Sequence, residues 1–377
     1  MPRFSILCGI AMPFTIALPA HQTAWVSGLN FFNGTNRDLT MLPSEITPPE
    51  KGTMRQLADD LYWLRFDLPF RLNHINLYVL DGEDGWIILD CGVHDPATVA
   101  HWDALLDGPL AGRPIERIIV SHHHVDHAGY AGPLAERTGA PVWMTESEYR
   151  YIVRMLAIAG PEFGELLEGA YRRYALTEVV LAMARQDHDR FPRFVAPMAE
   201  PNFMTEDHSV RSRGGEWRVR IDRGHSMAQI GLLDDARGLY LAGDYLLPRI
   251  SPNISADLSD PDDDRLGAYL DYLEEVSDLP GEMLILPGHD WPFTNGGERA
   301  RVLIDHHHMR LDALTEAARN GPVTVASSME VLFSRVFGSH EIFFAAGEAR
   351  AHLTHLVATG RMVMTLDDGI ERFSLAD

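Results

Sequence analysis

The sequence predicts an α/β (α+β layered) domain, not a helix bundle or a barrel, followed by a smaller helical module. Three observations carry that class. Short strands rich in β-branched and aromatic residues alternate with helical stretches from Leu61 onward, the alternation restarts after Trp217, and beyond about His306 the pattern changes to helix, helix and hairpin. At 377 residues with 46% apolar and 23% charged side chains, the chain has material for one large core and a second unit.

The elements follow in order. LYWLRFDLPF (61–70), HINLYVLDG (74–82) and GWIILDCG (85–92) read as strands, with Asp84-Gly85 as the hairpin turn between the last two. A helix is predicted from Asp95, its cap, through Pro96 at the first position to Leu106. IERIIVS (115–121) is a buried strand, a helix starts near Ala128, and PVWMTES (141–147) is the next strand. Residues from about 146 to 201 then carry helical spacing (Tyr149, Ile152, Val153, Leu156), with two more helices after Gly160-Pro161. This insertion, with Phe163, Met183 and Phe191 expected to be exposed, reads equally as a lid, as a packed excursion or as a homodimer contact. Strands return at EWRVRID (216–222), QIGLLDD (229–235) and GLYLAGD (238–244), then a helix through Leu266, Tyr269, Leu270 and Leu273, the strand MLILPGHD (283–290), and a charged helix from Glu298 to about Asn320. Helices over Ser327–Phe337 and Gly347–Thr359 and the hairpin Met362–Leu375 suggest a winged-helix-like module. The predicted organisation is a leader at 1–40, a catalytic domain at 41–304 and a C-terminal domain at 305–377.

Ser5 to Ala20, behind Arg3, is apolar but short for a membrane span and fits a secretory signal core. Leu18 occupies the position where a cleavage site wants a small residue, and Leu7 spoils a lipoprotein reading of Cys8. Initiation at Met12 or Met41 is a further reading. The expectation is a cytoplasmic protein, with export as the alternative.

Charge excludes more than it identifies. Thirty-two basic against 54 acidic residues give a net charge of −22, which disfavours nucleic acid and anionic membranes as partners. In the C-terminal module Arg350, Arg361 and Arg372 are offset by Glu348, Asp367, Asp368 and Glu371, so packing or dimerisation is the better role for it. Two cysteines, Cys8 and Cys91, cannot build a disulfide framework or a thiolate zinc cluster, whereas 18 histidines are many.

The strongest signal is Ser121-His122-His123-His124-Val125-Asp126-His127. Imidazole and carboxylate are the ligands of hard-to-borderline divalent metals. Alternation at a strand end sends His122 and His124 to one side, and the turn into a helix brings Asp126 and His127 to a second position nearby. One short loop then supplies half the ligands of two adjacent cations. Gly224-His225, Gly243-Asp244 and Gly288-His289 end strands in the same manner, each glycine allowing a sharp turn just before the ligand. Asp90, after WIIL, reads as a carboxylate that orients a ligand histidine from behind. His306, His307 and His308 lie on the charged helix and read as a solvated or interdomain face, while His74, His188, His340, His352 and His355 read as ordinary residues.

With Asp90, His122-x-His124-x-Asp126-His127, His225, Asp244 and His289 in this order, the sequence resembles the metallo-β-lactamase-fold hydrolases from about Leu61 to Pro292. The resemblance implies an αββα sandwich with a dinuclear metal site at the sheet edges. It places His122, His124 and His225 on one cation, Asp126, His127 and His289 on the other, Asp244 as the bridge, and Asp126 as a proton shuttle. The tail, with GDYLLPRISPNIS after Asp244, is similar to the winged-helix domain of a glyoxalase-II-like branch. The segment Pro287-Gly288-His289-Asp290-Trp291 departs from that branch's Cys-Gly-His-Glu-Tyr, which tells against glutathione thioesters.

The expected activity is hydrolysis of a small thioester, ester or lactone, by a hydroxide shared between two divalent cations, with Asp126 and Asp244 as the catalytic carboxylates. Zinc is the expected metal, with iron and manganese compatible. β-Lactam hydrolysis, RNA cleavage and a non-catalytic binding role are the alternatives.

Overall fold

Strands whose two faces are both apolar need cover on both sides, and that requirement organises the chain. The structure, a computed structural model, describes residues 47–185, 191–333 and 339–376. The predicted leader, with Arg3 and Cys8, and His188 lie outside the described residues, as does the side chain of His340.

The first half builds one mixed sheet. Strands β1 (Arg55–Ala58), β2 (Leu61–Asp67), β3 (His74–Asp81) and β4 (Trp86–Leu89) pair antiparallel. Helix α1 (Pro96–Leu106), capped by Asp95 Oδ1 accepting from Thr98 N at 2.8 Å, crosses to β5 (Ile115–Ile119). After α2 (Val125–Ala128) and α3 (Ala131–Thr138) comes β6 (Val142–Met144). The chain then makes α4 (Glu146–Ala157), α5 (Pro161–Arg173) and α6 (Glu178–Ala184) before β7 (Asn202–Phe203). Strands β4 to β7 run parallel, in the order β1-β2-β3-β4-β5-β6-β7. The second half gives β8 (Ser209–Ser212), β9 (Gly215–Asp222), β10 (Gln229–Asp234), β11 (Leu239–Gly243), α7 (Arg265–Val276), β12 (Leu284–Pro287) and α8 (Gly296–Ala318). Their sheet order is β12-β11-β10-β9-β8, antiparallel except for the parallel pair β11–β12. Helices α9 (Val325–Leu332) and α10 (Ser339–Ala358) and the hairpin β13 (Met362–Asp367)–β14 (Ile370–Leu375) complete the chain.

Period-two alternation sorts the strand residues into three cores. Leu61, Trp63, Leu80 and Leu89 face Trp217, Val219, Leu232 and Leu286 between the sheets. The outer face of the first sheet (Leu64, Leu77, Ile88, Ile118) packs on Trp102, Leu105, Leu134 and Ile152 of α1, α3 and α4. The outer face of the second (Leu233, Tyr240, Ile285) packs on α7 and α8 and shares its core with α5, α6, α9 and α10. The architecture is the αββα sandwich.

Several local expectations need correction. Residues 146 and 147, read as the end of a strand, start α4, because Thr145 closes β6 and two glutamates occupy the helix's first turn. Strands β1, β7 and β8 are short and had no readable alternation. Helix α9 starts two residues earlier than predicted, at Val325 with a Thr324–Ser327 capping box, and α10 starts eight residues earlier, at Ser339. The expected division between 304 and 305 falls inside the continuous helix α8. Phe163 is buried and Phe191 partly buried, while Met183 is exposed. Helix α5 packs against α9 and the C-terminal hairpin: Ala326 N of α9 donates to the Tyr174 carbonyl at 3.0 Å, and Arg173 lies 3.5 Å from Glu371 of β14. That packing is what the excursion reading requires and a loose lid does not have. No helix among the described residues is long and apolar enough to cross a membrane.

Leu232, fully buried between the sheets, tests the sandwich. Leu232→Ala is expected to lower unfolding free energy by about 2–5 kcal/mol in urea denaturation, and a loss under about 1 kcal/mol would mean that the intersheet core is not closed there.

Candidate metal centre

Strand direction decides where the polar loops meet. β4 and β5 are parallel, β11 and β12 are parallel, and β9 points the same way as β11 because both pair antiparallel with β10. Their carboxyl ends emerge at one edge of the sandwich, where loops rather than strands carry the side chains. Backbone hydrogen bonds tie the two sheets together there, Ile230 N to the Ser121 carbonyl (2.9 Å) and Asn76 N to the Gly288 carbonyl (2.7 Å), while Cys91 N to the His127 carbonyl (2.8 Å) joins two loops of the first sheet.

All seven residues singled out as metal ligands converge on this edge, in two groups. His122, His124, His225 and Asp244 form one and Asp126, His127 and His289 the other, the offered atoms of each group lying within 4.8 Å of one another. Asp244 belongs to both by distance. Its Oδ2 is 3.2 Å from His289 Nε2, 3.4 Å from His127 Nε2 and 3.6 Å from His225 Nε2. Asp126 Oδ2 lies 3.4 Å from His289 Nε2.

Rear hydrogen bonds aim the imidazoles. His127 Nδ1 donates to Asp90 Oδ2 (2.8 Å), His225 Nδ1 to the Asn253 carbonyl (2.9 Å) and His289 Nδ1 to the His74 carbonyl (2.8 Å). A proton fixed at Nδ1 leaves the Nε2 lone pair facing inward. Asp90 is itself fixed by Ser121 N (2.7 Å) and Ser121 Oγ (2.8 Å), from the left-handed backbone position φ 64°. His122 Nε2 and His124 Nδ1 face each other at 2.8 Å.

These residues fit divalent cations. His127 Nε2, His225 Nε2 and Asp244 Oδ1 are buried and have no hydrogen-bond partner. Buried polar atoms are ordinarily paired, and three such atoms aimed into one cluster of histidines and acids are what cation ligation would satisfy. Electrostatics points the same way. Burial, reinforced by the neighbouring imidazoles, pushes His122 and His124 well below the usual histidine range, leaving them neutral as ligands must be. Burial, the largest single effect, opposes charge on His127 and His289 as well, but the carboxylates together outweigh it: Asp244 foremost, with Asp90 and Asp126 at His127 and Asp126 at His289. His127 is raised well above its ordinary value and His289 is pushed up to about 10. The acids therefore call for positive charge at the second group.

The glycines before the ligands act in two ways. Gly224 (φ 129°) and Gly243 (φ 52°) supply left-handed turns. Gly288 does not; it is required by space, since a Cβ there would stand 2.2 Å from Asp244 Oδ1.

Other residues matter that the sequence did not single out. Glu148 of α4, fully buried, accepts from His123 N (2.9 Å) and Ala228 N (2.6 Å) and pairs with the His123 ring. Burial works against its charge, yet His123 overrides it and holds the carboxyl down to about 2. His74, read as ordinary, accepts from Asp290 N through Nε2 (2.9 Å) besides offering its carbonyl to His289. Asn253 and His74 act on ligands through backbone carbonyls, which no residue type announces. Of the helical triplet, His307 is buried against His352 of α10 (3.2 Å), an interior contact and not a solvated face.

Known proteins share this fold. The family profile described as the metallo-beta-lactamase superfamily matches residues 71–289, and one described as the metallo-beta-lactamase-like C-terminal domain matches 311–376. The chain is 24% identical over 310 residues to the probable metallo-hydrolase YqjP of Bacillus subtilis, covering 80% of this chain and 93% of that one. Among solved structures, a beta-lactamase domain protein from Burkholderia ambifaria superposes with a TM-score of 0.82 at 32% identity, covering 90% of this chain and 99% of the other. A metallo-beta-lactamase family protein from Thermus thermophilus gives 0.70 at 26% identity, with coverage of 85% and 100%. From Asp90 to His289 the ligand motifs lie inside the matched region, and this chain belongs to the metallo-beta-lactamase superfamily.

Proposed function

We propose that this metallo-hydrolase holds two divalent cations, zinc in the first instance, and cleaves the carbonyl–heteroatom bond of a small thioester, ester or lactone. One observation carries the dinuclear reading: a single oxygen, Asp244 Oδ2, stands within 3.6 Å of histidines from both ligand groups. Bound there, divalent cations would supply Lewis-acid chemistry, bringing the pKa of a water towards neutrality and polarising a carbonyl.

The chain's own residues do the remaining work. His122, His124 and His225 would hold one cation and Asp126, His127 and His289 the other, with Asp244 between them. Asp126 is more open than Asp244, with side chains 15% and 7% exposed, so Asp126 is the carboxylate that can pass a proton from the attacking water to the leaving group. Asp90 keeps the Nδ1 proton on His127. The net charge of −22 supports a small substrate over nucleic acid or a membrane surface, since a small carbonyl compound needs only the local positive charge the cations would supply.

The deciding assay is a panel of acyl-CoA, acyl-glutathione, lactone and β-lactam substrates with metal-reconstituted protein. Turnover of a thioester, ester or lactone is expected; turnover confined to the β-lactam, or full activity after exhaustive chelation, would overturn the reading. His122→Ala and Asp244→Ala should each abolish turnover and reduce metal content together, as measured by elemental analysis. Asp90 accepts from three donors that an amide cannot all satisfy. Asp90→Asn should accordingly weaken metal binding by about 10–100-fold in a competitive-chelator titration, and an unchanged affinity would remove Asp90 from the site.

A further inference from the structure

The carbonyl that receives His225 Nδ1–H belongs to Asn253, on the irregular segment between β11 and α7. That segment is held from outside the sandwich. Asn253 Nδ2 donates to Glu348 Oε2 of α10 at 3.1 Å, and Glu348 Oε1 lies 3.1 Å from Arg310 Nη2 of α8. Three residues on, Ala256 N donates to the Gly347 carbonyl at 3.0 Å. The approach there is so close that a Cβ on Gly347 would sit 2.6 Å from Ser255 Oγ. Upstream, buried Arg299 of α8 donates to the Leu247 and Ile250 carbonyls at 2.7 and 2.8 Å.

The second ligand group is aimed from the first sheet. His127 is aimed by Asp90 and His289 by the His74 carbonyl, and both acceptors lie on or beside strands of the first sheet.

We propose that Glu348, acting through Asn253, is a positioning residue for the ligand His225, so that the C-terminal module sets the affinity of one cation position and leaves the other alone. This inference rests on the two-cation reading above. Losing the Glu348 contact leaves the Asn253 side chain with Ser255 Oγ and a longer 3.4 Å bond to the Phe344 carbonyl, so its backbone carbonyl is less firmly placed, and with it the bond that holds the ring and tautomer of His225. A rear partner of a ligand histidine is worth about 10–100-fold in metal affinity.

The test is a two-step zinc titration against a chelator on full-length protein, with the absorption spectrum of the cobalt-substituted form as a second readout. Wild type should bind two equivalents. Asn253→Ala, which keeps the backbone carbonyl but removes its anchor, and Glu348→Ala should each weaken one step by about 10–100-fold and leave the other unchanged. The double variant should be no worse than Asn253→Ala alone, because that variant already removes the Glu348 contact together with those to Phe344 and Ser255. Glu348→Gln, which retains an acceptor for Asn253, should restore the weakened step. Glu341→Ala breaks a different link of α10, the 2.5 Å ion pair with Arg71, and should leave both steps intact. Should Glu348→Ala fail to fold, Asn253→Ala decides. Two unchanged steps in Asn253→Ala, or both steps weakened alike, would overturn the proposal; a wild type that binds one zinc or none would overturn the two-cation reading instead.

Discussion

Five imidazoles and two carboxylates pressed together at one edge of a sandwich cannot satisfy one another by hydrogen bonding. His127 Nε2, His225 Nε2 and Asp244 Oδ1 are left buried without partners, and charge is divided between neutral rings on one side and rings driven towards protonation on the other. An apolar core of this size would not tolerate that arrangement unless something else stabilised it. Much of the architecture answers this one demand. Parallel strand pairs put the loops at a common edge, backbone bonds lace the two sheets together there, and Gly288 is stripped of a side chain so that Asp244 can approach.

The orientation of the ligands comes from three different parts of the chain. Asp90 serves His127 from within the first sheet, the His74 carbonyl serves His289 from an adjacent strand, and the Asn253 carbonyl serves His225 from a loop whose own supports are α8 and α10. The C-terminal module and the sandwich are therefore one packed body around the second sheet's outer face, and His307 meeting His352 inside it shows how little of that boundary is solvent.

Much of the fold was legible because burial on both faces leaves nearly continuous apolar runs, as in LYWLRF and WIIL, and because turns and caps punctuate them. The ligand residues were legible for a related reason: a histidine or aspartate after a buried strand, next to glycine, is out of place unless it has work to do there. What escaped was of two kinds. Strands of two to four residues, such as β7 and β8, exist only because a neighbour pairs with them. Carbonyl groups that orient ligands, such as those of His74 and Asn253, carry no side-chain signature, and Glu148 looks like any glutamate in a helix's first turn until its burial against His123 is seen. The glycine argument held at Gly224 and Gly243 by backbone conformation but at Gly288 by contact alone, a distinction that spacing cannot express.

The packing of α5 against the C-terminal hairpin bears on how the chain is made. Tyr174 waits for Ala326 and Arg173 for Glu371, so the core beneath the second sheet joins α5 to segments about 150 to 200 residues further along the chain. During synthesis that core cannot close until the last hairpin has left the ribosome, and the apolar faces of α5 and α6 stay uncovered meanwhile. Emergence of the β13–β14 hairpin, not of the sandwich's own sequence, is the event that buries them.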